Sequence, residues 1–288
     1  MSKYLKSPFN YIGGKTKILN HLLEVFPDSI STFVEPFCGG YNVGLNVEAK
    51  EIVEIEINKY LIELIQYIRD TNTKLLIDGV EGIVKEYQLS KTNQEGYLRL
   101  RSDYNSSKDP LLLFALICFS FNHQIRFNNS FQFNTPFGKD RSSYNSSIKN
   151  NLIAFSERMK QQNIKFLVGD FEKYEYEKLG SGDFVYCDPP YIITTGSYND
   201  GTRGFGDWTS SSEKRLLKLL DRLDKQGVKF ALSNVLYHNG SSNDLLIEWS
   251  KKYQIHFVDM NYNNSNYHSK AKEHDTVEVI ITNYGRKN

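Results

Sequence analysis

The run Asp183-Phe184-Val185-Tyr186-Cys187 stops abruptly at Asp188-Pro189-Pro190-Tyr191, and no other feature constrains this chain so tightly. A short, mostly apolar run of this kind predicts a strand buried on both faces, as in the interior of a parallel sheet. Consecutive prolines forbid its continuation, because each lacks an N–H and holds φ at about −65°. Their carbonyl oxygens stay free as acceptors, between an aspartate carboxylate and an aromatic ring. Ligands of open α/β sheets sit at the carboxyl ends of strands. The turn is therefore a candidate site whose acceptors converge on an amine, with Tyr191 able to stack on the ring that bears it. The bland alternative is a rigid loop with a capping aspartate.

The flanking sequence obeys the same grammar. Strands are expected at residues 32–37, 51–57, 165–168, 229–232, 254–261 and 276–284, and amphipathic helices at 18–26 and 211–225. Alternation of the two implies a mostly parallel sheet. No helix separates the last two strands, so that pair is expected to be antiparallel. Residues 61–163 read differently. Helical patterns at 61–68, 83–87 and 110–119 give way to a polar, aromatic run from Phe121 to Asn134. Alternating segments on either side of Asn128-Asn129-Ser130 predict a β-hairpin. Residues 138–151, rich in Ser, Asn and Lys, predict a loop. The chain thus divides into one unit made of 1–60 with 164–288 and a mainly helical insertion at 61–163. The glycine-rich stretch 192–210 is either a lid or an ordinary loop.

A second constellation lies near the start. Glu35-Pro36-Phe37-Cys38-Gly39-Gly40 follows the first expected strand, and glycines there let a ligand approach the backbone. The spacing matches neither a dinucleotide fingerprint nor a P-loop, which suits a ligand without phosphate. Glu56 ends the next strand a little under ~20 residues later, where a carboxylate accepts ribose hydroxyls; the alternative is a solvent-facing Glu on a sheet edge. Asp170-Phe171 ends the following strand, with Asp170 a hydrogen-bond acceptor, a helix cap, or both.

Net charge is +1, from 35 basic and 34 acidic residues, which excludes a whole-molecule cationic field. Nucleic-acid binding would need local clusters, such as Lys3, Lys6, Lys15 and Lys17, or Arg126, Lys139 and Arg141. Aromatic residues reach 14%, enough for base-stacking surfaces or simply a Tyr-rich core. Cys38, Cys118 and Cys187 are far apart and show no metal-ligand spacing, so no metal site is expected. Free thiols in a reducing cytoplasm fit best. The first residues lack a signal-peptide apolar region, and the apolar run 111–119 is too short to span a membrane.

Taken in order, Phe9-Asn10-Tyr11-Ile12-Gly13-Gly14-Lys15, Glu35 to Gly40, Arg126-Phe127-Asn128 with Phe133-Asn134-Thr135-Pro136-Phe137-Gly138, Gly169-Asp170-Phe171 and Asp188 to Tyr191 resemble the Dam-type, D12-class (α group) DNA adenine-N6 methyltransferases. The resemblance covers nearly the whole chain. It implies a Rossmann-like methyltransferase fold, S-adenosylmethionine as donor and S-adenosylhomocysteine as product. It assigns Tyr11, Gly13, Lys15, Glu35, Pro36, Phe37, Gly39, Gly40, Glu56, Asp170, Phe171 and Asp188 to the donor site, and Asp188, Pro189, Pro190 and Tyr191 to catalysis. The insertion becomes the target-recognition domain, with Phe121, Asn122, Gln124, Arg126, Asn134, Pro136 and Lys139 on duplex DNA. It implies a bacterial or phage-encoded cytoplasmic enzyme, monomeric, acting beside a separate restriction endonuclease or alone. Gln124 and the pair Lys139-Asp140 depart from many GATC-specific members, leaving GATC one candidate site. Asp rather than Ser, Thr or Asn before Pro-Pro favours adenine over cytosine N4, RNA or a protein amide, and the intact motif argues against a non-catalytic DNA-binding relative.

Overall fold

The computed structural model describes residues 4–11, 13–194, 208–258 and 276–285. Its frame is an eight-stranded sheet. The strands are β1 (Thr32–Glu35), β2 (Glu51–Glu56), β3 (Ile164–Val168), β4 (Phe184–Cys187), β5 (Lys229–His238), β6 (Ser241–Ser242), β7 (Gln254–Phe257) and β8 (Thr276–Thr282). Along the sheet they run β3-β2-β1-β4-β5-β8-β7, with β6 paired to β5. The pairs from β3 through β5 are parallel, whereas β8 lies antiparallel between β5 and β7. The strand order reverses between β1 and β4, and such a switch opens a crevice at the carboxyl ends of the strands. Asp183 aligns the two: its carboxylate accepts from Thr32 N at 2.9 Å and Gly180 N at 2.8 Å.

One face of the sheet is covered by α7 (Ser210–Gln226) and α8 (Asp244–Ser250). Thr209 caps α7 through a reciprocal box with Ser212, and Gly227 ends it in the left-handed region at φ 78°. The expected apolar stripe Leu216, Leu217, Leu219, Leu220 and Leu223 is buried, each side chain contributing roughly 1.5–3 kcal/mol. The other face carries α1 (Leu19–Val25) and the helices of the middle stretch: α2 (Lys59–Asp70), α3 (Thr73–Glu86), α4 (Gln94–Ser107), α5 (Pro110–Phe119) and α6 (Ser146–Lys160). Asp109 caps α5 and Pro110 opens it; being apolar on all sides, it is buried among its neighbours. The middle helices share one continuous core with that face of the sheet.

Three expectations need correcting. Residues 146–151, read as loop, begin α6: Asn145 caps it, and Ile148, Leu152, Phe155 and Met159 are buried at helical spacing. The strand expected at 229–232 runs on to His238. Ser233 and Asn234 look like a polar stop, but both are buried; Ser233 Oγ meets Tyr186 Oη at 2.9 Å and Asn234 donates to Glu213 at 3.4 Å. The alternative reading of Glu56, a solvent-facing residue on a sheet edge, fails, because β2 lies between β1 and β3 and the Glu56 side chain is buried, as is its neighbour Glu54. The expected hairpin is closed by a single antiparallel bridge, Phe127 with Phe133, rather than by a ladder. Most of the glycine-rich 192–210 stretch, and the 262–275 connection, lie outside the described residues. Among the described residues no helix is long and apolar enough to cross a membrane.

Candidate active site

A cavity of about 920 Å³ opens at the carboxyl ends of β1, β2 and β4. Each catalytic and donor-side residue expected above lines it. They arrive from separate stretches because parallel strands deliver their ends to one edge of the sheet. Of the DNA-side residues, Gln124 reaches the cavity wall, where it bridges to Asn10.

The donor side is organised by backbone. Glu56 Oε2 accepts from Gly39 N and Oε1 from Asn58 N, both at 3.0 Å. One bond on each oxygen leaves lone pairs free for hydroxyls of a ligand. Burial raises the Glu56 carboxyl above its ordinary value, and these N–H groups pull it back in part. Gly39 sits in the left-handed region at φ 50°, and a Cβ there would meet the Tyr11 ring at 3.1 Å. Only glycine lets the turn close on that ring. Beside it, Phe37, Phe171 and Trp208 form an aromatic corner with centroids 5.4–5.8 Å apart. Asp170 does act as a cap, accepting from Glu172 N at 3.0 Å, and also pairs with Arg215 at 3.6 Å. Arg215 in turn lies over the Phe171 ring.

Beneath this turn Glu35 and Glu54 are partners across β1 and β2. Burial pushes Glu35 up to about 8 and Glu54 well above its usual range. Glu35 accepts from Gly44 N at 3.1 Å, while neither Glu54 oxygen has a donor. A proton retained on Glu54 and donated to Glu35 gives Glu35 a second donor and one Glu54 oxygen a partner.

At the inner end, Lys15 Nζ donates to Gly13 O at 2.9 Å and lies 2.8 Å from Asp188 Oδ1. It also lies 5.0 Å from the centre of the Tyr191 ring. Tyr191 Oη is 3.1 Å from Asp188 Oδ1 and 3.1 Å from Glu278 Oε1. Burial raises the Asp188 carboxyl, and the Lys15 ammonium opposes the rise. Sequence reasoning had Lys15 on the donor side; its ion pair is with the Asp188 carboxylate. It missed Glu278, Trp208, Arg215 and His238, which also line the cavity. A lone carboxylate inside the apolar run Thr276-Val277-Glu278-Val279-Ile280-Ile281 was the available signal for Glu278.

The hairpin side combines backbone and side-chain bonds: Asn134 N donates to Arg126 O at 3.0 Å and Asn128 N to Gln132 O at 2.9 Å. Arg126 Nε donates to Asn134 Oδ1 at 3.1 Å. Asn122 and His123 are both left-handed, at φ 53° and 55°, and Arg141 lies 4.7 Å over the Phe121 ring while donating to Asn122 at 3.3 Å. Pro136 and Lys139 are exposed.

The sequence matches the family model of the D12 class N6 adenine-specific DNA methyltransferases over residues 11–264. The chain belongs to this family. It is 48% identical over 98% of its length to the type II methyltransferase M.FokI of Planomicrobium okeanokoites, covering 43% of that protein. It is 46% identical over 99% of its length to the modification methylase StsI of Streptococcus sanguinis, covering 44% of it. With the type II methyltransferase M1.LlaDCHI of Lactococcus lactis subsp. cremoris it shares 31% identity, over 96% of this chain and 95% of the relative. It thus spans less than half of the first two relatives and nearly all of the third. Membership in the D12 class implies a methyl donor.

Proposed function

We propose that this chain transfers a methyl group from S-adenosylmethionine to N6 of an adenine extruded from duplex DNA, at a specific site. The observation that carries the reading is the Asp188 carboxylate lining one cavity together with Glu56 and the aromatic corner of Phe37, Phe171 and Trp208. The residues fit the donor: Glu56 keeps free lone pairs for ribose hydroxyls, Phe37, Phe171 and Trp208 offer ring faces to its adenine, and the Gly39 turn admits a ligand close to backbone. When bound, the donor supplies a methyl group whose C–S bond breaks as the N6–C bond forms, the electron pair staying on sulfur.

The chain's own residues then have defined tasks. Asp188 and the Pro189 carbonyl accept from the two amine hydrogens and aim the nitrogen, so alignment supplies much of the acceleration. Tyr191 offers its ring to the base. After transfer one amine proton leaves, and Asp188 faces it. Extrusion costs a few kcal/mol of stacking and pairing, and Phe121 or Asn122 fills the gap left behind. Arg126 reads a guanine edge, worth roughly 1–3 kcal/mol of discrimination, with Gln124, Asn134, Pro136 and Lys139 beside it on the duplex. In this reading residues 61–163 form the target-recognition unit, and the enzyme works in the bacterial cytoplasm as a monomer, alone or alongside a restriction endonuclease. GATC is one candidate sequence.

Incubation with duplex DNA and labelled donor, followed by nucleoside analysis, tests the reading. N6-methyladenine is expected. Exclusive N4-methylcytosine, or no labelled nucleoside, overturns it.

A further inference from the structure

Glu278 belongs to no motif of the sequence, yet it shares both of Asp188's partners. Tyr191 Oη stands 3.1 Å from Oδ1 of Asp188 and 3.1 Å from Oε1 of Glu278, and its single hydrogen can serve one of them at a time. Lys15 Nζ, 2.8 Å from Asp188, is 3.9 Å from Glu278. Two carboxylates therefore divide one ammonium and one hydroxyl. As formal charges, Asp188, Glu278 and Lys15 leave one negative charge in excess around Tyr191.

We propose that Glu278 is a positioning residue for methyl transfer: it draws Lys15 and the Tyr191 hydroxyl toward itself and so leaves lone pairs of Asp188 free to face the amine. This rests on the reading that Asp188 receives the amine. The nitrogen gains positive charge as it takes the methyl group, and the negative charge in excess around Tyr191 favours that change. Without Glu278, Lys15 and Tyr191 fall wholly to Asp188, and the carboxylate meets the amine already neutralised. Four elements present titratable groups here. Glu35 comes from β1 and interacts with both Asp188 and Lys15. Lys15 comes from the short helix after Gly13, Tyr186 and Asp188 with Tyr191 from β4 and its turn, and His238 from β5, its Nδ1 2.8 Å from Thr276 Oγ1. On β7, His256 is engaged with Thr282 Oγ1 at 3.0 Å.

The test is steady-state methyl transfer on duplex DNA across pH, with wild type, Glu278→Gln, Glu278→Asp and Lys15→Met. Glu278→Gln is expected to lower kcat by about 10-fold or more with the donor KM unchanged, and to move the acid limb of kcat to lower pH, since Asp188 then has Lys15 to itself. Glu278→Asp keeps the charge and recovers most of the rate. Lys15→Met moves the acid limb the other way, because both carboxylates lose their cation. This variant carries the test should the amide variant fail to fold. Overturning results are a Glu278→Gln enzyme with wild-type kcat and limb, equal loss of kcat and donor binding in it, or limbs unmoved in both charge variants. A wild type that makes no N6-methyladenine fails the proposed function and this inference with it; an active wild type with indifferent variants fails the inference alone.

Discussion

At the sheet end, Glu56 is held by two backbone N–H groups at 3.0 Å each, on strands locked in a parallel ladder. In the hairpin segment, Arg126 is held by the Asn134 side chain at 3.1 Å and its carbonyl at 3.5 Å, on a loop closed by one bridge. The first arrangement presents acceptors in one geometry before any ligand arrives. The second leaves a guanidinium whose partner is an amide oxygen, an acceptor that a guanine edge can replace. Under the proposed function, a preorganised wall suits a constant methyl donor, and an exchangeable one suits a target that must be read.

The sharpest way to break this comparison is at the end of the rigid wall. Asp188→Ala should reduce methyl transfer by more than about 10²-fold while equilibrium dialysis still shows donor binding. Loss of donor binding as well would mean that the aspartate holds up the wall itself. Next comes Glu56→Gln. Hydrogen bonds to a charged group are worth roughly 1.5–3 kcal/mol, so the donor KM should rise by about 10- to 100-fold with kcat at saturation nearly kept. A kcat effect without a KM effect would place the donor elsewhere.

Arg126→Ala should act on the other wall alone. A ten-fold or smaller change in DNA KM on the cognate duplex, together with relaxed choice of methylated sequence, is expected from losing about 1–3 kcal/mol of discrimination. Sequencing of methylated adenines reads the outcome, and an unchanged recognition sequence would remove Arg126 from the reading side. The smallest effect lies beneath the rigid wall. Glu35 and Glu54 have folded values raised above 4.5, Glu35 to about 8. The native state then binds more protons than the unfolded one across that window, so stability falls as pH rises from 4.5 towards 8. Glu54→Gln, whose amide donates to Glu35 without a proton to lose, should flatten that fall and raise Tm by a few degrees at alkaline pH. Melting curves at acid and alkaline pH check it; parallel shifts at both would deny the shared proton.

The sequence by itself marked the turns that follow three of the strands and what they carry. Two prolines after a buried strand, glycines after another and an acid after a third are local signals, because each obeys steric rules within a few residues. The apolar stripe of α7 was equally legible, its period written in leucines. The polar helix α4 left no such trace: Tyr97, Leu100 and Tyr104 bury one narrow face amid polar residues. Helix α6 hid behind a Ser- and Asn-rich start that is in fact its cap. Only the tertiary structure decided that Lys15 meets Asp188 and that Glu278, from the far end of the chain, shares its partners. The reason is topological: β8 folds back antiparallel beside β5, and no local pattern states which distant carboxylate that return brings to the end of β4.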